Sequence, residues 1–136
     1  VPTPIVKGDT LRRRTPPKRS KYGAIPTVVD GIRFHSKKES QRYQALKLLE
    51  QAGEIWDLEL QPKFQLLVPS TSGQMGRALK AIVVGGMFRL GEYRGDFLYW
   101  DKTGKVVEDV KGIDTPLSKW KRKHVLAQYN IEVKIV

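Results

Sequence analysis

The 136-residue sequence contains no cysteine and only two histidines, His35 and His124. No disulfide and no thiolate metal site can therefore form, and a histidine-rich zinc site is not expected. Any catalytic metal would have to be bound by oxygen ligands. Acidic residues are also scarce, 14 against 25 lysines and arginines, which gives a formal net charge of +11.

Long apolar runs are missing as well. No run in the sequence approaches the roughly 18 to 20 residues that a membrane helix needs. The N-terminal stretch is rich in proline and arginine and lacks the apolar segment of a secretory signal. We therefore expect no membrane partner and a cytoplasmic location.

Positive charge is concentrated in residues 1–22, which we interpret as a basic N-terminal arm. This segment holds seven lysines and arginines against one acid, Asp9. Such a stretch cannot bury enough apolar surface to offset its ordering entropy, so we expect it to be flexible when free. Arg12, Arg13 and Arg14 are candidate DNA contacts. From charge alone, a solubilising tail or a nuclear-type address is an equally good interpretation.

Residues 23–136 predict one α/β domain. A tight Asp-Gly turn indicates an N-terminal β-hairpin. A helix is expected over residues 37–52, where Ser36 and Glu39 form a capping box. A second helix is expected over residues 116–129, with a proline in its first turn. Alternating apolar and polar residues elsewhere predict strands, and hence a mixed sheet flanked by helices.

The candidate active centre lies on a predicted hairpin of two strands, 93–100 and 105–111, joined by a four-residue turn. In this register Asp96 faces Asp109, with β-carbons only about 4.5 to 5.5 Å apart, so the two like charges repel. Strand alternation puts Lys111 on the same face as Asp109. Lys111 can supply one compensating charge and still leave room for a divalent ion between the carboxylates. Hard oxygen ligands favour Mg²⁺, with Mn²⁺ as a substitute.

The same charges also have a purely structural interpretation. A surface hairpin could carry Asp96, Asp109 and Lys111 for solubility alone. The predicted register also depends on Gly95, where a bulge would move Asp96 to the other face. It places Arg94 opposite Lys111, a like-charge pair that the sequence does not explain.

Three further features have two interpretations each. Glu39 can cap its helix only, or reach a metal or its water from the inward edge of that helix. Gln61 can be a substrate contact or a satisfied loop residue. Basic residues of the two helices can form a solvated face or a phosphate track. These residues are Lys37, Lys38, Lys119, Lys121, Arg122 and Lys123.

The order of these motifs resembles a known superfamily. An acid in the first helix is followed by an aspartate on one strand and by Asp109-Val110-Lys111 on the next, as in the PD-(D/E)XK nucleases, whose core is αβββαβ. The linked motifs from residue 21 to the C-terminus, including Tyr93-Arg94-Gly95-Asp96-Phe97, are similar to a nuclease-like family of tailed phages and prophages. Two positions depart from that pattern. Gly95 stands where a proline or alanine is expected, and His35 where an acid is expected.

The resemblance implies a restriction-endonuclease-like αβββαβ core and a Mg²⁺-dependent DNA endonuclease. In that case Asp96 and Asp109 ligate the metal, Glu39 joins them directly or through water, and Lys111 positions or activates the attacking water. The implied substrate is DNA, including Holliday junctions or other branched DNA in phage replication or recombination, and the implied location is the bacterial host cytosol. A resolvase that makes paired cuts would be a homodimer. The rival function is that of a non-catalytic nucleic-acid-binding protein that uses the basic arm and the second helix.

Overall fold

The computed structural model describes residues 23–69, 83–84 and 86–136, which form a single α/β domain with two helices and a mixed sheet. The basic arm, residues 1–22, lies outside the described residues. The helices are α1, Lys37–Gln51, and α2, Pro116–Tyr129. The strands are β1 (Thr27–Val29), β2 (Ile32–Phe34), β3 (Trp56–Leu60), β4 (Lys63–Pro69), β5 (Val83–Val84), β6 (Met87–Arg94), β7 (Phe97–Asp101), β8 (Gly104–Asp109) and β9 (Val133–Ile135).

Both predicted helices are confirmed, and each begins at a side-chain cap. Ser36 Oγ accepts a hydrogen bond from the Glu39 backbone N–H at 3.1 Å. Thr115 Oγ1 accepts one from the backbone N–H of Ser118 at 3.2 Å. These bonds satisfy amide groups that have no partner within the helix. Within the described ranges, neither helix is long and apolar enough to cross a membrane.

The main sheet has four strands in the order β3-β7-β8-β9, antiparallel except for the parallel pair β8 and β9. The two faces of β8 pack against different clusters. Val106 lies in the cluster that contains Tyr43 and Leu46 of α1. Val107 lies in the cluster that contains Val125 of α2. The predicted alternation along β8 is therefore confirmed, and a helix covers each face.

Two smaller sheets complete the domain. One is the β1-β2 hairpin, confirmed at its predicted turn, where Asp30 and Gly31 both adopt positive φ angles of 51° and 75°. The other is antiparallel, with the strand order β4-β6-β5. The chain passes from β3 into β4 and from β6 into β7, so this sheet is joined to the β3-β7 pair where both segments bend.

The prediction of one continuous strand over residues 93–100 is wrong. The chain bends at Gly95 and Asp96, so β6 ends at Arg94 in one sheet and β7 begins at Phe97 in the next. Arg94 pairs with Lys63 of β4 and not with Lys111. The predicted like-charge pair of Arg94 and Lys111 therefore does not form.

The bend has a tertiary cause. The segment between β3 and β4 also bends, at Gln61 and Pro62. Two backbone hydrogen bonds join the two bends: Gln61 N–H to Asp96 O at 2.9 Å and Gly95 N–H to Pro62 O at 3.0 Å. A β-carbon at Gly95 would lie 3.0 Å from Val107 Cγ1. Proline is unsuitable at residue 95 because it has no N–H to donate to Pro62 O. Alanine is unsuitable because its β-carbon would lie too close to Val107.

The register predicted for the β7-β8 hairpin is confirmed from Asp101↔Gly104 to Phe97↔Glu108. The ladder stops there, one residue short of the predicted pair of Asp96 and Asp109. Strand β8 ends at Asp109, so Lys111 follows the strand and does not lie within it as predicted. The bend therefore places Asp96 beside the end of β8, outside the regular ladder.

Candidate active site

A cleft of about 520 Å³ brings together the four predicted site residues. Glu39 comes from the first turn of α1, Asp96 from the bend before β7, Asp109 from the end of β8 and Lys111 from the segment after it. These elements are far apart in the sequence. Their meeting in one cleft is a property of the fold.

Asp109 is held by two donors and is only 5% exposed. Its Oδ2 accepts a hydrogen bond from the Tyr93 hydroxyl at 2.6 Å, and Lys111 Nζ lies 3.1 Å from the same oxygen. Burial raises the pKa of Tyr93 far above its usual value, with a further contribution from the bond to Asp109, so this hydroxyl remains a donor. Sequence reasoning missed Tyr93, because a tyrosine on a strand carries no distinctive pattern.

Asp96 lies half-buried beside Asp109. Its Oδ2 accepts a hydrogen bond from the Val110 backbone N–H at 2.7 Å. Burial raises the pKa of Asp96 to about 7; the bond from Val110 opposes this shift, and the charges of Asp109 and Glu39 add to it. The three carboxylates therefore repel one another, with Lys111 as the cation paired to one of them.

Glu39 accepts a hydrogen bond at the start of its helix, as the capping interpretation predicts, and its contact with a metal or its water stays a prediction. Glu39 is 4% exposed, and its Oε2 accepts a hydrogen bond from the His35 backbone N–H at 3.0 Å, just before α1. It also lines the cleft with Asp96 and Asp109. In the described part of the chain, the bonds from His35, Tyr93 and Val110 use one oxygen of each carboxylate, and the side chains of Asp96 and Asp109 also hydrogen-bond to each other. The cleft thus holds carboxylate oxygens that accept no bond from those three donors.

The ammonium group of Lys111 is positioned by α2. Its Nζ donates a hydrogen bond to Ser118 Oγ. The same Oγ accepts a bond from Arg122 at 2.9 Å, and Arg122 makes a two-pronged ion pair with Asp114 at 2.8 and 2.7 Å. These contacts join the first turns of α2 to the segment after β8. The ammonium group of Lys111 is therefore held by Ser118 on one side and by Asp109 on the other.

The predicted DNA contacts fall into separate groups. Lys37 and Lys38 are exposed at the start of α1, and Lys38 lines the cleft. Lys121 donates a hydrogen bond to the Glu92 carbonyl at 3.0 Å on the side of α2 that faces the site.

The other predicted contacts lie elsewhere. Lys119 and Lys123 line a different cleft of about 320 Å³ beside β9. The side chain of Arg122 is only 14% exposed because of its pair with Asp114. Arg12, Arg13 and Arg14 lie outside the described residues. A DNA-binding role for all of these residues stays a prediction.

A second buried carboxylate group lies on the opposite face of β8. Arg42 donates to Glu108 through Nε at 2.7 Å and Nη2 at 2.6 Å, and the Tyr99 hydroxyl donates at 2.6 Å. Burial raises the pKa of Glu108, but the bonds from Arg42 and Tyr99 outweigh it and the net shift is downward. Sequence reasoning did not predict this pair, because its members are 66 residues apart in the chain.

The donor set fits a hard divalent cation bound by few protein ligands. Among residues 23–69, 83–84 and 86–136, no group of three or more His, Asp or Glu side chains is arranged to hold a metal by itself. Mg²⁺ commonly uses one or two carboxylates and fills its remaining positions with water and substrate phosphate oxygens. Asp96 and Asp109 provide such a pair, and burial followed by the neighbouring charges of Asp109 and Glu39 raises the pKa of Asp96.

The model of the family described as "Protein of unknown function (DUF1064)" matches residues 19–136. The match covers most of the chain, which therefore belongs to this family. No curated protein and no solved structure matches the chain.

Proposed function

We propose that this member of the DUF1064 family is a metal-dependent DNA endonuclease of the PD-(D/E)XK type, using Mg²⁺, for which Mn²⁺ can substitute. The observation that carries the proposal is the meeting of Glu39, Asp96, Asp109 and Lys111 in one cleft of about 520 Å³. A structural charge network would leave these groups paired. Here three carboxylates share a space in which burial and mutual repulsion raise the pKa of Asp96 to about 7.

The order of the elements supports the restriction-endonuclease-like part of the proposal. When β4 to β6 are treated as an insertion at the bend, the elements after the β1-β2 hairpin follow the order α1, β3, β7, β8, α2, β9. This is the αβββαβ order expected of such a core. The candidate ligands then lie at the start of β7 and the end of β8, which are adjacent strands.

The proposed reaction is hydrolysis of a phosphodiester. A water oxygen forms a bond to phosphorus and the water gives up a proton. The bond from phosphorus to one sugar oxygen breaks, and that oxygen takes up a proton. Asp96 and Asp109 would hold the cation, with Glu39 close enough to orient a water. A bound divalent cation supplies Lewis-acid chemistry that activates water and offsets charge on the phosphate.

Lys111 is the protein's own positive group at the reacting centre. Its Nζ is held by Ser118 and Asp109, so little reorganisation is needed before it donates to a phosphate oxygen or to the attacking water. Asp109 has a second task in this scheme, because it also keeps the lysine beside the ligand oxygens.

DNA is the proposed substrate because cations surround the cleft and the formal net charge is +11. Branched DNA, Holliday junctions included, is a substrate class within this proposal. Paired cutting of a junction would need two copies of the chain. Gel filtration with light scattering on the protein alone and on its junction complex tests that requirement.

Cleavage assays test the proposal directly. Supercoiled plasmid and a four-way junction are incubated with the protein in Mg²⁺, Mn²⁺ or EDTA, and the assay is repeated with Asp109→Asn. The matched control is Asp57→Asn, which also replaces one carboxylate by an amide, at an exposed residue outside the cleft. Asp57 has a φ of 55°, which asparagine tolerates as well as aspartate does.

We expect cleavage in Mg²⁺ and Mn²⁺ by the wild type and the control, and none in EDTA or with Asp109→Asn. Cleavage that ignores chelation or the Asp109 substitution would contradict the proposed site. DNA binding without any cleavage would favour a non-catalytic nucleic-acid-binding protein.

A further inference from the structure

We infer that one strand of the DNA substrate crosses the site in a groove of three adjoining clefts, with its backbone held by Arg33 at one end and by Arg94 and Lys121 at the other. This inference rests on the proposed function, since it takes the central cleft as the place of the reacting phosphate. It adds two contacts, Arg33 and Arg94, that the sequence did not suggest.

The three clefts are joined through shared side chains. On one side, a cleft of about 300 Å³ shares Glu39 and Asp96 with the central cleft and extends to Arg33 of β2 and to Gln61. Gln61 thus lies at the wall of the groove, one hydrogen bond away from the Asp96 backbone. An extended ligand at the carboxylates can therefore continue toward the β1-β2 hairpin.

On the other side, a cleft of about 290 Å³ shares Lys111 and Thr115 with the central one and extends to Arg94 and Lys121. The order of the groove is therefore fixed by the structure. It runs from Arg33, past the carboxylates and Lys111, to the end of β6 and the first turns of α2.

Each outer cleft carries positive charge that the protein leaves incompletely compensated. Arg33 is exposed, and within the part of the chain that the structure describes its guanidinium group makes no hydrogen bond or ion pair, although its backbone pairs with Val28 of β1. Arg94 is directly opposite Lys63 in the β4-β6 ladder, and like charges at paired positions repel. The acid nearest to Arg94 is Glu92, at 3.7 Å, and Glu92 also lies 3.4 Å from Arg89.

A phosphodiester is the ligand class that these features favour. Guanidinium groups bind phosphate oxygens through paired hydrogen bonds, and phosphates on both sides of the reacting one would fix the register of the strand. Each outer cleft has an arginine in its wall, and the carboxylates of Glu39 and Asp96 line both the Arg33 cleft and the central cleft. Backbone contacts of this kind hold any sequence, so the groove positions DNA without reading bases.

The experiment measures binding of a fluorescein-labelled DNA duplex by anisotropy in EDTA over a range of salt concentrations. The variants are Arg33→Ala and Arg94→Ala. The matched control is Lys105→Ala, which removes an exposed cation whose Nζ lies 5.2 Å from the centre of the Trp100 ring, outside the three clefts. Circular dichroism melting verifies that each variant is folded.

We expect each arginine variant to weaken binding several-fold and to reduce the slope of log affinity against log salt by about 0.9, the value for one lost duplex phosphate contact. Lys105→Ala should leave both quantities unchanged. Wild-type slopes in either arginine variant, equal losses in all three variants, or no binding by the wild type would overturn the groove.

The two proposals can fail separately. DNA cleavage by the wild type together with unaltered binding by both arginine variants would overturn the groove and leave the nuclease in place. Reduced slopes in both variants without metal-dependent cleavage would support the groove and contradict the nuclease.

Discussion

Glu108 and Asp109 are consecutive residues of β8, and both are buried, at 2% and 5% exposure, yet their surroundings differ in kind. Glu108 receives a two-pronged pair from Arg42 and a hydroxyl bond from Tyr99. Asp109 shares its cleft with two more carboxylates and two lysines, of which Lys111 is paired with it. The difference separates a carboxylate that joins elements of the fold from a cluster that is short of positive charge.

The pKa shifts express this difference. The net shift of Glu108 is downward despite its burial, because Arg42 and Tyr99 stabilise the charged form. The pKa of Asp96 is raised to about 7 by burial and by its acidic neighbours. A buried charge that the protein leaves uncompensated is costly and often marks a functional site. Three of the following substitutions test this contrast from both sides, and the fourth, Gly95→Ala, tests the bend that brings Asp96 beside the end of β8.

The largest expected effect is on the compensated side. Arg42→Met leaves Glu108 buried without its cation and should lower the free energy of unfolding by about 3 kcal/mol. Lys47→Met on the same helix is the matched control, because its pair with Glu50 is partly exposed and should contribute much less to stability. Urea denaturation measures both. Equal losses in the two variants would show that the Arg42 pair is an ordinary surface pair.

The second effect concerns the bend that separates the two sheets. Gly95→Ala should lower the free energy of unfolding by about 2 kcal/mol, because the new methyl group would lie against Val107 and the backbone of Glu108. In a Val107→Ala background the same change should cost less, since the space is then available. Denaturation of the four proteins of this cycle measures the coupling. Strict additivity would contradict the steric explanation.

The third effect is on the cluster side and concerns the position of Lys111. Ser118→Ala removes the hydroxyl that accepts from Lys111 Nζ and should slow DNA cleavage about tenfold, equivalent to about 1.4 kcal/mol. Ser118→Thr keeps an oxygen at this position and should restore most of the rate. Single-turnover cleavage at saturating protein distinguishes a slower chemical step from a loss of DNA affinity. An unchanged rate in Ser118→Ala would show that the lysine needs no such support.

The smallest effect has the opposite sign to the first. Asp96→Asn removes one of three repelling carboxylates and should stabilise the protein in EDTA by about 1 kcal/mol at about pH 9, and hardly at about pH 4. The sign follows from the raised pKa of Asp96: ionisation is harder in the folded state, so the folded wild type loses stability as the pH rises toward about 7. Thermal melts at both pH values measure the change. Destabilisation at the higher pH would place Asp96 with Glu108 as a compensated group.

Features that depend on local signals could be predicted from the sequence. The capping residues predicted both helices, and the four-residue turn predicted the register of β7 and β8 from Phe97 to Asp101. The bend could not be predicted, because it depends on two long-range features. These are the contact of Gly95 with Val107 and the hydrogen bonds to a segment more than thirty residues earlier in the sequence.

Parts of the candidate site also depend on long-range packing. Glu39, Asp96, Asp109 and Lys111 were selected from their motifs, and the structure brings them together. Tyr93 and Ser118, which hold two of these groups, were not selected, because a tyrosine on a strand and a serine in a helix carry no distinctive pattern. Arg42 was missed for the same reason.

Metal binding by the cluster is the central claim, and Mn²⁺ titration followed by electron paramagnetic resonance measures it without DNA or turnover. Wild type and Asp57→Asn should bind Mn²⁺ saturably, Mg²⁺ should compete, and Asp109→Asn should bind at least about tenfold more weakly. The same affinity in all three proteins, or no binding by the wild type, would contradict the assignment of Asp96 and Asp109 as metal ligands.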